Sequence, residues 1–122
     1  MWSAELGLNA ILLEASDELG GQLLWTYNSI KNYLGIEVEN GRELQQVFLK
    51  QIQEQHFELK TNCEVVEIET EKKRVKLKNE QVLSANALII ATGIRRRKLS
   101  LENEEKFRGR GILASGKGDA KK

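Results

Sequence analysis

The stretch "NAILLEASDELGGQ", Asn9 to Gln22, decides the fold. Ala10 to Leu13 is a continuous apolar run rather than an alternating one, which predicts a central strand covered on both faces. Glu14 stands at the carboxyl end of that strand, and Gly20-Gly21 follow a few residues later. A carboxylate in this position can accept both hydroxyls of a ribose, and paired glycines let backbone amides approach a diphosphate. Position alone is also satisfied by a solvated charge at Glu14 and a simple turn at Gly20-Gly21.

Working outward, Trp2 to Leu6 are helix formers that stop at Gly7, a residue type that closes helices in the left-handed conformation. Residues 15–40 carry Gly20, Gly21 and Gly35 without sustained periodicity, so they read as a long connection. Helix returns at Gly41. There Leu44, Val47, Phe48, Gln51 and Ile52 form one stripe, with Gln45, Lys50 and Glu54 expected to face away. Phe57 to Thr61 predicts a short strand. The alternating runs Glu64 to Glu69 and Arg74 to Lys78, with Gln81 to Ser84, then predict a three-stranded antiparallel meander broken by polar turns. "ALIIA", Ala87 to Ala91, is wholly apolar and predicts a second buried strand, closed by Thr92-Gly93 where a small residue and a bare backbone can approach a ligand. Leu99 to Phe107 is acidic and weakly helical, and residues 113–122 form a small, polar tail.

Composition narrows the function classes. A chain of 122 residues can build one domain with a real core. Nineteen Lys and Arg against 18 Asp and Glu leave no field that favours nucleic acid or an anionic membrane. The apolar runs fall far short of the roughly 20 residues that span a bilayer, and Met1 opens no signal-type segment, so a cytoplasmic protein is expected. Cys63 is the single cysteine, which rules out a disulfide framework or Cys-x-x-Cys pair within the chain. It reads as a small buried hydrophobe more readily than as a reactive thiol. His56 has no acidic partner or second ligand at a useful spacing and reads as a surface residue. Arg95 to Lys98 beside "ENEE", Glu102 to Glu105, reads as a mutually compensated surface. "SGKGD", Ser115 to Asp119, lacks the spacing of a phosphate loop.

The order of these features is more specific than any one of them. "AELGLNAILLE", "GGQL", "KNYLG", a helix opening "NGRELQQ", the meander, "ALIIATG" and "FRGRGI" together resemble the FAD-binding domain of thioredoxin-reductase-like flavoproteins, over nearly the whole chain. The resemblance implies an α/β, Rossmann-like parallel sheet with the meander inserted before "ALIIATG", a partial FAD-binding domain over residues 1–112 and a tail beyond it. It implies that Glu14 binds the adenosine ribose of FAD, that Gly20, Gly21 and Gln22 lie along the diphosphate and ribitol, and that Val65 contacts the adenine through its backbone. It further implies that Asn32 reaches the flavin ring and that Ala91, Thr92 and Gly93 pack against it. Leu34 replaces the family's usual proline after Asn32-Tyr33.

Two departures are as informative. The family's first strand and G-x-G-x-x-G turn should lie about 20 residues before the ribose-binding acid. Only 13 residues precede Glu14 and none forms that turn, so the expected sheet is truncated at its first strand, with an open apolar edge. In thioredoxin reductases a Cys-x-x-Cys-Asp dithiol follows the segment "GRGI"; here Ser115 and Gly118 stand at the cysteine positions, with Asp119 retained. Dithiol exchange through that motif is therefore closed to this chain. The expected function is that of an FAD-binding portion of an NAD(P)H-dependent flavin oxidoreductase, inactive alone, with NAD(P)H used only by a complete parent. The alternative is a catalytically silent module that self-associates as a homo-oligomer, or binds a partner, through the open sheet edge.

Overall fold

The structure is a computed structural model and describes residues 2–94, 97–98, 100–107 and 112. The expectations placed on Arg95, Arg96, Gly109 to Gly111 and residues 113–122 lie outside the described residues. The chain forms two compact units, one from residues 1–19 and 50–92, the other from residues 20–49 and 93–122.

In the first unit, helix α1 (Trp2–Glu5) stops just before Gly7, as its sequence predicts. Strand β1 (Ile11–Leu13) pairs in parallel with β2 (Glu58–Lys60), setting Ile11 against Glu58 and Leu13 against Lys60. A three-stranded antiparallel meander follows: β3 (Val65–Glu69), β4 (Arg74–Leu77) and β5 (Val82–Ser84), in that spatial order. Lys73 at φ 51° and Glu80 at φ 68° turn the two hairpins. Leu77, at the end of β4, is fully buried. Parallel sheet and meander together make the predicted α/β fold.

Among the described residues β1 pairs only with β2, and for want of further neighbours Ile11 and Leu12 stay 45% and 40% exposed rather than covered on both faces. The same cause corrects the reading of residues 87–91 as a buried strand. No strand forms there, and Ile89 and Ile90 are 94% and 60% exposed. A strand exists only when a neighbour supplies ladder bonds, and no backbone hydrogen bond among the described residues engages 87–91.

In the second unit, the connection after Gly20 is largely irregular, with one short 3-10 helix, Gly21–Trp25, and an isolated antiparallel bridge between Ile30 and Val38. Helix α2 (Gly41–Gln53) begins in this unit. Its entry is capped: the Glu43 N–H donates to Asn40 Oδ1 at 3.1 Å, while Glu43 Oε2 accepts from the Glu39 N–H at 2.8 Å. Leu44 is buried as the stripe predicts, but Gln45, expected to face away, is only 2% exposed. Its stem fills space beside Gly20, where an added Cβ would stand 3.4 Å from Gln45 Cγ. A third helix, α3 (Glu104–Phe107), occupies the end of the weakly helical segment. Lys98 pairs with Glu105 at 3.1 Å, in keeping with a compensated surface.

Candidate functional site

Glu14 emerges from β1 into a backbone clasp. Its N–H donates to Lys60 O at 2.9 Å and its carbonyl accepts from the Cys63 N–H at 2.8 Å, while Ser16 O accepts from the Asn62 N–H at 2.9 Å. Residues 14–16 and 60–63 are thus zipped together at the carboxyl end of the parallel pair. The Glu14 carboxylate Oε1 accepts from the Ser16 N–H at 2.9 Å and from Ser16 Oγ at 2.7 Å. These two bonds hold its pKa below the ordinary 4.5, with the Ser16 backbone N–H the larger cause, so the group stays ionised at neutral pH. An ionised carboxylate has about four lone-pair sites, which leaves capacity for two ribose hydroxyls.

Beside Glu14 the first unit opens a pocket of 370 Å³ lined by Ala15, Asn62, Cys63, Glu64, Leu77, Lys78 and Asn79. Its meander wall is stitched by the Lys78 N–H to Glu64 O bond at 2.8 Å and by the Lys78 Nζ to Glu64 Oε2 ion pair at 2.7 Å. Half-buried Val65 follows Glu64 directly and pairs with Leu77 at a register shift in the β3–β4 ladder. Ala15 and Glu64, the chain neighbours of Glu14 and Val65, line this pocket, whereas Glu14 and Val65 themselves are not among its lining residues. Ala91 and Thr92 of this unit are exposed and lie outside any strand.

In the second unit, Gly20 and Gly21 have φ 128° and 48°, conformations that side-chain-bearing residues rarely adopt. Gly21 is exposed, and nothing lies within 4 Å of where its Cβ would be, so its backbone is open to a ligand. Gln22 Nε2 donates to Ile94 O at 3.0 Å, bringing the Gly-Gly-Gln segment to the residue after Gly93. Exposed Asn32 sits in the loop closed by Ile30 N–H to Val38 O at 2.8 Å, and Tyr33 packs edge-on against Phe48 with ring centres 5.8 Å apart. Two features of this support were not read from the sequence. Gly41 is required because a Cβ there would lie 1.9 Å from Leu23 O, and Tyr33 ties the Asn32 loop to α2. Neither depends on periodicity, the signal that located the helix.

Among the described residues no group of three or more His, Cys, Asp or Glu is arranged to hold a metal, and no helix is long and apolar enough to cross a membrane.

The pyridine nucleotide-disulphide oxidoreductase family model matches residues 2–120. Thioredoxin reductase of Ureaplasma parvum is 32% identical over 118 residues, 92% of this chain and 36% of that protein. Thioredoxin reductase of Buchnera aphidicola is 33% identical over 117 residues, 92% of this chain and 35% of that protein. A solved thioredoxin reductase from Gloeobacter violaceus superposes with a TM-score of 0.64 at 25% identity, covering 87% of this chain and 35% of that one. The chain thus spans about a third of the length of these relatives. With a family model matched almost end to end, the chain belongs to the pyridine nucleotide-disulphide oxidoreductase family.

Proposed function

We infer that this chain is the FAD-binding portion of a thioredoxin-reductase-like flavin oxidoreductase and that it works in the cytoplasm. The observation that carries the reading is Glu14, an ionised carboxylate at the carboxyl end of a parallel strand, clasped beside a pocket of 370 Å³. The residues present fit the adenosine half of FAD: Glu14 for the ribose hydroxyls, and the pocket with Val65 for the base. By the family resemblance Gly20, Gly21 and Gln22 serve the diphosphate and ribitol, and Asn32, Ala91, Thr92 and Gly93 the flavin ring. Bound flavin supplies hydride acceptance from a nicotinamide, and the chain supplies position and charge. With Cys63 its single cysteine, the chain cannot close an internal disulfide, and turnover of a disulfide substrate belongs to a complete parent that also binds NAD(P)H. Titration of FAD with the purified chain, followed by flavin fluorescence, tests this reading. Saturable quenching is expected, and unchanged fluorescence at millimolar protein contradicts it.

One observation favours a second reading. Among the described residues no strand pairs with the outer edge of β1, and its Ile11 and Leu12 are exposed, a template for strand addition from a second copy of the chain. Size-exclusion chromatography across a concentration series decides it, since strictly monomeric elution excludes edge pairing.

A further inference from the structure

The first unit holds two strand-forming elements that lack a neighbour among the described residues. Along β1 the Ala10 carbonyl accepts from the Glu58 N–H and the Glu14 N–H donates to Lys60 O, both at 2.9 Å, so these groups turn towards β2. Backbone groups alternate in direction along a strand, which turns the N–H and C=O of Ile11 and Leu13 to the outer edge. No described residue bonds them there. Residues 87–91 are the counterpart: a wholly apolar run with no backbone bond among the described residues, in which Ile89 and Ile90 are 94% and 60% exposed. The two elements do not pair with each other within the chain. One is a ladder edge short of a strand, and the other is a strand composition short of a ladder.

We propose that residues 87–91 of a second copy of this chain add to the outer edge of β1, and that the two copies exchange these segments reciprocally. The proposal rests on the self-association reading above and names the strand that is added. Pairing one β1 edge with another would satisfy the edges and leave both 87–91 segments in water. Exchange satisfies both deficits at once: Ile11 and Leu13 gain ladder partners, and apolar surface of Ile89 and Ile90 leaves water together with that of Ile11 and Leu12. Neither 10–13 nor 87–91 contains a charged residue or a proline, the residue types that usually keep sheet edges apart. Each copy carries one edge and one free segment, so two exchanges close a two-fold dimer, whereas a one-way contact leaves an edge open and propagates.

The test is sedimentation velocity of the full chain over a concentration series, repeated on Leu12→Lys, on the double variant Ile89→Lys with Ile90→Lys, and on an equimolar mixture of the two. Successive strand residues face opposite sides, so the double variant puts a charge on whichever face becomes covered. Both isoleucines are exposed and their segment makes no described backbone bond, so these substitutions leave the fold intact. The unaltered chain is expected to reach twice the mass of one copy and stop there. Each variant alone is expected to lose the dimer, and the mixture to regain it, because an intact edge then meets an intact segment. An excess of a peptide of residues 86–92 is expected to return the unaltered dimer to single chains. Dimerisation of the double variant like that of the unaltered chain, a mixture that stays monomeric, or a dimer indifferent to the peptide overturns the exchange and leaves the edge reading standing. An unaltered chain that is monomeric at every concentration overturns the edge reading and this inference with it.

Discussion

Gly41 joins the packing of the second unit to the proposed diphosphate segment, and Gly41→Ala tests that link. A Cβ at this position falls 1.9 Å from Leu23 O, 2.9 Å from Leu23 C and 3.0 Å from Thr26 Cβ. Ordinary contact begins near 3.4 Å, so the backbone of Leu23 must retreat by about 1.5 Å. No flexible side-chain end is available to give way. The Gly41 N–H to Thr26 O bond of 2.8 Å restrains the same segment from the other side. Overpacking of this kind costs about 1–3 kcal/mol, while alanine returns up to about 1 kcal/mol of helix propensity, less in the first turn. A net loss of about 2 kcal/mol is expected, roughly 8 °C in Tm. Urea unfolding followed by far-ultraviolet circular dichroism measures it, with exposed Lys50→Ala as a control expected to stay within about 0.5 kcal/mol. Because Gly20 to Gln22 precede the displaced Leu23, FAD affinity should fall as well. A Gly41→Ala chain as stable as the parent refutes the close approach.

Other outcomes follow from the same geometry. Ser16→Ala removes the hydroxyl bond to Glu14 and leaves the backbone bond, so the Glu14 pKa should rise towards 4.5, read by NMR of its side-chain carboxyl. The folded-state pKa is depressed, so this stabilisation is fully present above the unfolded value near 4.5 and is lost as pH falls through the lower folded value. Gln22→Ala deletes the bond to Ile94 O; with both residues exposed, about 0.5 kcal/mol should be lost in urea unfolding. Leu12→Lys places a charge on the outer edge of β1 and should abolish any self-association seen by size-exclusion chromatography. NADPH oxidation by the isolated chain in the presence of a protein disulfide should not rise above the rate with free flavin.

Much of the fold was legible because its signals are local. The stop at Gly7, the alternation through β3 and β4, and the apolar stripe of α2 each need only a few neighbouring residues to be read, and each element formed where expected. What escaped depends on distant partners. "ALIIA" carries the composition of a buried strand, yet composition does not supply the neighbouring backbone that a strand requires, and residues 87–91 remain unpaired. Gln45 looks like a solvent-facing residue until Gly20 leaves room for its stem. At the candidate site, the strand-end position of Glu14 was readable and the Ser16 bonds to its carboxylate are local, spanning two residues, whereas the neighbouring pocket exists only after residues 14–16 and 60–63 have met.

The most direct test of the account is calorimetric titration of FAD into the unaltered chain and into Glu14→Ala. If Glu14 holds the adenosine ribose, the unaltered chain binds FAD and the variant loses about tenfold or more in affinity, the cost of deleting a charged acceptor for two hydroxyls. Equal affinity in the two proteins, or no heat from either, contradicts the claim that this strand end is a nucleotide site.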